Sequence, residues 1–180
     1  MNLPNKITML RVLLIPFFVV FMLVPGIPAG KYIALAIFIV ASLTDTLDGY
    51  IARKYDLISN FGKFMDPLAD KLLVSAALIS FVALGTMPAW VVIIIISREF
   101  IISGFRLVAS DAGVVIAASW WGKIKTITQM IMSIVLIMDI DCTFMYVLGQ
   151  VLIYLALALT VISLVDYLVK NWQVMNDGNM

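Results

Sequence analysis

The chain has 180 residues, of which 63% are hydrophobic and 13% charged, with a net charge of +1 at pH 7. Its mean hydropathy of +1.10 means more apolar surface than a soluble domain of this size can bury, which places it in the membrane class; it also lacks the basic tail or stripe of a nucleic-acid binder. Cys142 is the only cysteine, so no intrachain disulfide is possible, and with no histidine a metal site must use oxygen ligands, which suits hard cations such as Mg, Mn or Ca.

The opening MNLPNKITMLR mixes Leu3, Ile7 and Leu10 with Asn5, Lys6 and Arg11. That composition fits a short interfacial helix, and equally an ordinary cytoplasmic flank. The apolar run from Val12 to Val24 is followed by Pro25-Gly26 rather than a small-residue cleavage pattern, so it reads as a retained span. Helical spans of about 20 apolar residues cross a bilayer, and six candidates follow in order: 8–24, 31–53, 64–84, 88–110, 119–139 and 143–170. Short turns, PGIPAG, GTMP and DIDC, join them on one side. The other side holds the segments around KYDLISNFGK and SDAGVVIAAS.

Of the 12 basic residues, only Lys31 falls on the first side, so the positive-inside rule puts both termini and both charged connections in the cytoplasm. Basic residues inside the spans should face a cavity rather than lipid. No repeat, linker or low-complexity segment interrupts the chain. The expected fold is therefore all-α: one polytopic membrane domain over 1–180, with six transmembrane helices and a short N-terminal interfacial helix.

Charge is concentrated where the second span ends and the third begins. Asp45 and Asp48 are three residues apart, and Asp66 and Asp70 four apart; both spacings put a pair on one helix face. A short connection makes the two helices antiparallel neighbours, so the acidic faces can meet. Four carboxylates meeting without a cation would repel and take up protons, and ionised groups at membrane depth are costly unless paired or wetted. Two divalent cations balance four carboxylates and suit phosphoryl transfer, clamping attacking and leaving oxygens. The bland alternative is solvated helix ends paired with Lys54, Lys63 and Lys71. It suits Asp56 in the loop but leaves the paired spacing of the other four unexplained.

Gly49 and Ala52 allow close approach of a ligand or helix to the backbone. Arg53 is a forked phosphate donor, and Gly62 suits a tight turn or close ligand approach. Pro67 disfavours helix at Asp66 outside a first turn, so the third helix is expected to start near Asp66 or to be distorted there.

In full the stretch reads Asp45-x2-Asp48-Gly49-x2-Ala52-Arg53-x8-Gly62-x3-Asp66-x3-Asp70. It resembles the signature of the CDP-alcohol phosphatidyltransferases at every fixed position and gap. The resemblance extends over most of the chain and implies six transmembrane helices and a homodimer. It also implies a reaction in which an alcohol attacks the β-phosphorus of a CDP-linked lipid and CMP leaves. It assigns Asp45, Asp48, Asp66 and Asp70 to two divalent cations, Mg or Mn, and makes Asp70 the general base. Gly49, Ala52 and Arg53, with Gly62 close by, match the part of the motif that holds the CDP moiety.

A second charged region, SREFIISGFRLVASDAGVVIAASWWGKIKTITQM, runs from Ser97 to Met130. Arg98 and Arg106 are eight apart and share a helix face, while Lys123 and Lys125 open the next helix. With only Glu99 and Asp111 as local counterions, this surplus suits an anionic acceptor such as a phosphorylated alcohol. Topology and lipid headgroups account for cytoplasmic cations too. Lys125, two residues from Lys123, points elsewhere and is the weakest member of the set. The SREF…GFRLVA and WGKIKT segments and the opening NLPNKITMLR are similar to the phosphatidylglycerophosphate synthase branch of the family. That likeness implies CDP-diacylglycerol and sn-glycerol 3-phosphate as substrates, Asn5 and Thr8 near the nucleotide, and a bacterial cytoplasmic membrane.

Two other readings stand beside this one. Within the family, serine, inositol phosphate or phosphatidylglycerol could be the acceptor, although an uncharged or zwitterionic one needs fewer cations. Outside it, a divalent-cation transporter would also use intramembrane acids. Its outer half would lack a polar path, since Asp139 and Asp141 read as exposed turn residues. A purely structural subunit leaves the paired acids beside Arg53 without a purpose.

Overall fold

A computed structural model describes residues 3–54, 60–111, 116 and 119–171; within the helices, the side chains at 3, 4, 45–53, 60–64, 66, 67, 110 and 111 lie outside that description. Among the described residues the regular structure is helical throughout. The order is α1 (Leu3–Leu23), α2 (Gly30–Lys54), α3 (Asn60–Ala83), α4 (Ala89–Asp111), α5 (Trp120–Met138) and α6 (Thr143–Lys170). Each of the six expected segments is therefore a helix, with ends shifted by a few residues. The segments Asn5–Leu23 and Thr143–Lys170 are long and apolar enough to cross a membrane, and Gly30–Thr44 is a shorter apolar helix.

The turns follow from local backbone chemistry. Gly26 and Gly85 adopt positive φ, of 85° and 72°, and so do Ala29 at 57° and Asp139 at 41°. Gly30 opens α2 where a β-carbon would lie 2.8 Å from the Phe21 carbonyl oxygen, so no larger residue fits without a shift of backbone.

Two compact units make up the chain: Met1–Thr86 with Ser133–Ile140, and Met87–Met132 with Asp141–Met180. In the first, α1 packs on α2 and α3, and α2 meets α3. Phe18 and Phe38 are fully buried, with ring centroids 6.0 Å apart. Ala34, Phe38 and Ala41 on α2 and Ala69, Leu73, Ala77 and Phe81 on α3 form buried stripes at helical spacing. An exposed ion pair of 2.6 Å between Lys31 and Asp139 brings the start of α2 to the end of α5, as expected if both turns lie on one side.

In the second unit α4 packs on α6. The buried residues of α6 are Gly149, Ile153, Ala156, Leu159, Thr160, Ser163 and Tyr167, mostly small or polar. Its exposed face carries Val147, Val151, Tyr154, Leu155, Val161, Ile162, Val165 and Val169. Small residues inside and large apolar ones outside is the distribution expected of a helix solvated by lipid, since such a face in water would drive association.

Three expectations are corrected. The opening segment is not a separate interfacial helix, because Leu3–Leu23 is one helix that also contains Pro16. Asn5, Thr8 and Arg11 recur every third residue and are all buried, so this face turns into the protein instead of lying along the headgroups. Helix α3 starts at Asn60, well before Asp66, which removes the first of the two alternatives that Pro67 raised, and Gly62 consequently lies in a helix and not in a turn, which removes the first of its two roles.

Candidate active site

The acidic residues belong to the first unit. Asp45, Asp48, Gly49, Ala52 and Arg53 fall in the last turns of α2, and Gly62, Asp66 and Asp70 in the first turns of α3. Their helices are in contact, so the fold brings the two acidic segments to neighbouring elements. The side chains of Asp45, Asp48, Ala52, Arg53 and Asp66, and the surroundings of Gly49 and Gly62, lie outside the described residues, as does Asp56. Asp70 is half-buried and engaged in an interaction. It follows the fully buried Ala69, while Lys71 beside it is half-buried. The donor set fits divalent cations: carboxylate oxygens alone, at spacings of three and four, on two helices in contact.

Helix α1 contributes a buried polar face to the same unit. Asn5 is 6% exposed, Thr8 0% and Arg11 1%. Asn5 and Thr8 are thus turned inward, as a ligand-facing role requires. Arg11, expected in an interfacial helix or a cytoplasmic flank, is buried with them. The signal for it was present, since it continues the three-residue spacing of Asn5 and Thr8.

The basic residues belong to the second unit. Arg98 is 8% exposed and Lys125 2%, and both pair with Glu99, Arg98 through a 3.4 Å contact. Glu99 therefore serves as counterion to two buried cations, which stabilises charges that burial alone would disfavour. Lys123 and Arg106 are exposed, so the two lysines point in different directions, but the expectation for Lys125 is reversed: it is Lys125, not Lys123, that joins Arg98 on Glu99. Asp111, the other local acid, has a side chain outside the described residues.

The amino end of α5 meets this group. Ser119 caps the helix: its Oγ accepts a hydrogen bond from the Gly122 N–H at 3.1 Å, and its carbonyl accepts one from the Lys123 N–H at 3.2 Å, the geometry of an N-cap. A β-carbon on Gly122 would lie 3.6 Å from Arg98 Nη2, which puts the Arg98 guanidinium at the first turn of α5. The positive end of the helix dipole and Arg98 coincide, with Lys123 in the same turn. Arg98 Nε is buried without a hydrogen-bond partner among the described residues. This combination suits an anionic group. Ser119 carries a signal of its own in the sequence, since a serine just ahead of an apolar run marks a helix start.

Comparison with known proteins agrees with this chemistry. The model of the CDP-alcohol phosphatidyltransferase family matches residues 1–162. A protein of Bacillus subtilis (strain 168) named CDP-diacylglycerol--glycerol-3-phosphate 3-phosphatidyltransferase is 46% identical over 99% of this chain and 99% of its own. Proteins of the same name from Haemophilus influenzae (strain ATCC 51907 / DSM 11121 / KW20 / Rd) and Rickettsia felis (strain ATCC VR-1525 / URRWXCal2) are 42% and 35% identical; the first match covers 93% of this chain and 91% of the relative, the second 92% and 93%. With the acid signature intact and the match running through five of the six helices, this chain belongs to the CDP-alcohol phosphatidyltransferase family.

Proposed function

We infer that the protein transfers the phosphatidyl group of CDP-diacylglycerol to sn-glycerol 3-phosphate, giving phosphatidylglycerophosphate and CMP. The observation that carries this reading is the 46% identity over 99% of both chains to a relative named for that reaction. The exchange balances: the acceptor hydroxyl oxygen bonds to the β-phosphorus, the bond from that phosphorus to the CMP oxygen breaks, and the hydroxyl proton goes to a base.

The roles follow the chemistry of the side chains. Asp45, Asp48, Asp66 and Asp70 hold divalent cations, on which the family generally depends; we assign two, Mg or Mn. When bound, these cations neutralise the diphosphate and make CMP a better leaving group. Asp70 takes the acceptor proton. Asn5, Thr8, Gly49, Ala52, Arg53 and Gly62 hold the CDP moiety, with Gly49 and Ala52 keeping the backbone open to it. Arg98, Arg106, Lys123 and Lys125 form the acceptor-phosphate region, in which Lys125 acts from within its pair with Glu99.

The small-and-polar interior and large apolar exterior of α6 support a setting in lipid. We extend that setting to all six helices as one membrane domain, with the termini and charged connections in the cytoplasm and the chain forming a homodimer in the cell membrane. A water-soluble alcohol and a nucleotide then reach the site while the acyl chains stay in the bilayer.

The test is CMP release by purified protein in detergent, with CDP-diacylglycerol and Mg or Mn. Release that requires both metal and glycerol 3-phosphate is the expected result. Release with serine, inositol phosphate or phosphatidylglycerol instead overturns the acceptor, and ion flux in vesicles without any CMP release overturns the enzyme.

A further inference from the structure

The family match ends at residue 162, and no motif in the sequence points beyond it. Yet Tyr167, on the last turns of α6, is 3% exposed, and its hydroxyl is buried without a hydrogen-bond partner among the described residues. A tyrosine hydroxyl so placed forgoes the bond that buried phenols usually find. The ring is held edge-on against Phe105, with centroids 5.8 Å apart and planes at 85°. Phe105 immediately precedes Arg106, and Arg98 lies about two helical turns before Arg106 on the same face of α4. Arg98 Nε is likewise buried and unpartnered among the described residues. One unit of the fold thus gathers a phenol O–H and a guanidinium N–H, each with an unused donor, together with a second arginine. No described acid takes up the Tyr167 O–H: the Oδ2 of the neighbouring Asp166 is itself buried without a hydrogen bond among the described residues, and Glu99 bonds Arg98 and Lys125.

We propose that the Tyr167 hydroxyl is a specificity-determining donor that hydrogen-bonds a phosphate oxygen of the acceptor while Arg98 and Arg106 supply the countercharge. The proposal rests on the acceptor reading given above and assigns that phosphate a third kind of donor. It also explains a buried hydroxyl that packing alone leaves unsatisfied: the ring serves the α4–α6 contact, and the oxygen serves the ligand. A phenylalanine would supply the ring equally well, so the oxygen needs a reason of its own.

The variant that separates the two is Tyr167→Phe, which keeps the ring against Phe105. In the CMP-release assay its KM for glycerol 3-phosphate should rise roughly tenfold, as for loss of a hydrogen bond to a charged group. Its KM for CDP-diacylglycerol should stay within about twofold of the unaltered protein. A second readout does not need turnover: inorganic phosphate should raise the thermal midpoint of the unaltered protein in nonionic detergent, and most of that rise should vanish in Tyr167→Phe. Equal stabilisation by phosphate in both, or none in either, overturns the proposal. So does a KM change on the lipid substrate alone, which would put the hydroxyl on the lipid's phosphate. If the unaltered protein releases no CMP with glycerol 3-phosphate, the acceptor reading fails on its own, and the phosphate measurement still decides Tyr167 as an anion donor.

Discussion

The acidic segments of α2 and α3 and the basic group of α4 and α5 solve opposite electrostatic problems. The first concentrates four aspartates at helical spacing on two contacting helices, and like charges so arranged need cations close by. The second buries Arg98 and Lys125 but supplies Glu99 between them, so much of its charge is balanced internally. What stays available there is the unused donor capacity of Arg98, the exposed Arg106 and Lys123, and the capped amino end of α5. Under the proposed function the first region is completed by metal ions, whereas Glu99 balances the second from within and leaves donors there for an anion.

Breaking the acidic side should have the largest effect. Asp70→Asn keeps the shape of the side chain but removes the carboxylate proposed to accept the proton. Turnover should fall by about a thousandfold, within the range for loss of a general base, with binding of CDP-diacylglycerol largely retained; single-turnover CMP release beside a liponucleotide binding isotherm checks both. Full activity would remove Asp70 from the base role. On the basic side, Glu99→Gln leaves two buried cations without their counterion and should cost about 3 kcal/mol of stability, read from denaturant unfolding in detergent. A neutral result would show the pair to be solvated, and the contrast between the two regions would collapse.

Arg106→Ala sharpens the comparison in a different way. It should raise the glycerol 3-phosphate KM by about tenfold and leave that for CDP-diacylglycerol nearly unchanged; equal effects on both would argue against an acceptor role. The smallest expected change is Ser119→Ala, which removes the α5 cap and should lower stability by about 1 kcal/mol. A larger loss in affinity for inorganic phosphate than in stability would show the cap to be orienting the anion site as well.

Much of the fold is legible in the sequence. Apolar runs bounded by PGIPAG, GTMP and DIDC marked six helices, and the turn residues Gly26 and Gly85 adopt the positive φ that glycine favours. The acid spacing identified the family because helical periodicity is a property of the chain itself. Less legible was the opening segment, whose mixed composition suits an interfacial helix, a flank or a buried polar face alike. Only packing on α2 and α3 distinguishes them, by burying Thr8 and Arg11. Pro67 misled the placement of the α3 start, because a local steric preference was set against a helix begun at Asn60.

By itself, then, the sequence determined the helices, the oxygen-only chemistry of the acids and the family, all of which depend on residues near one another along the chain. Tertiary structure decided which polar residues are buried and what answers them. Lys125 finds Glu99 across 26 positions, and Tyr167 finds Phe105 from another helix. Such pairings depend on which faces of α4, α5 and α6 turn inward. No local spacing encodes that, because burial of a charge or a hydroxyl is tolerated only where a distant segment supplies its partner or leaves room for a ligand to do so.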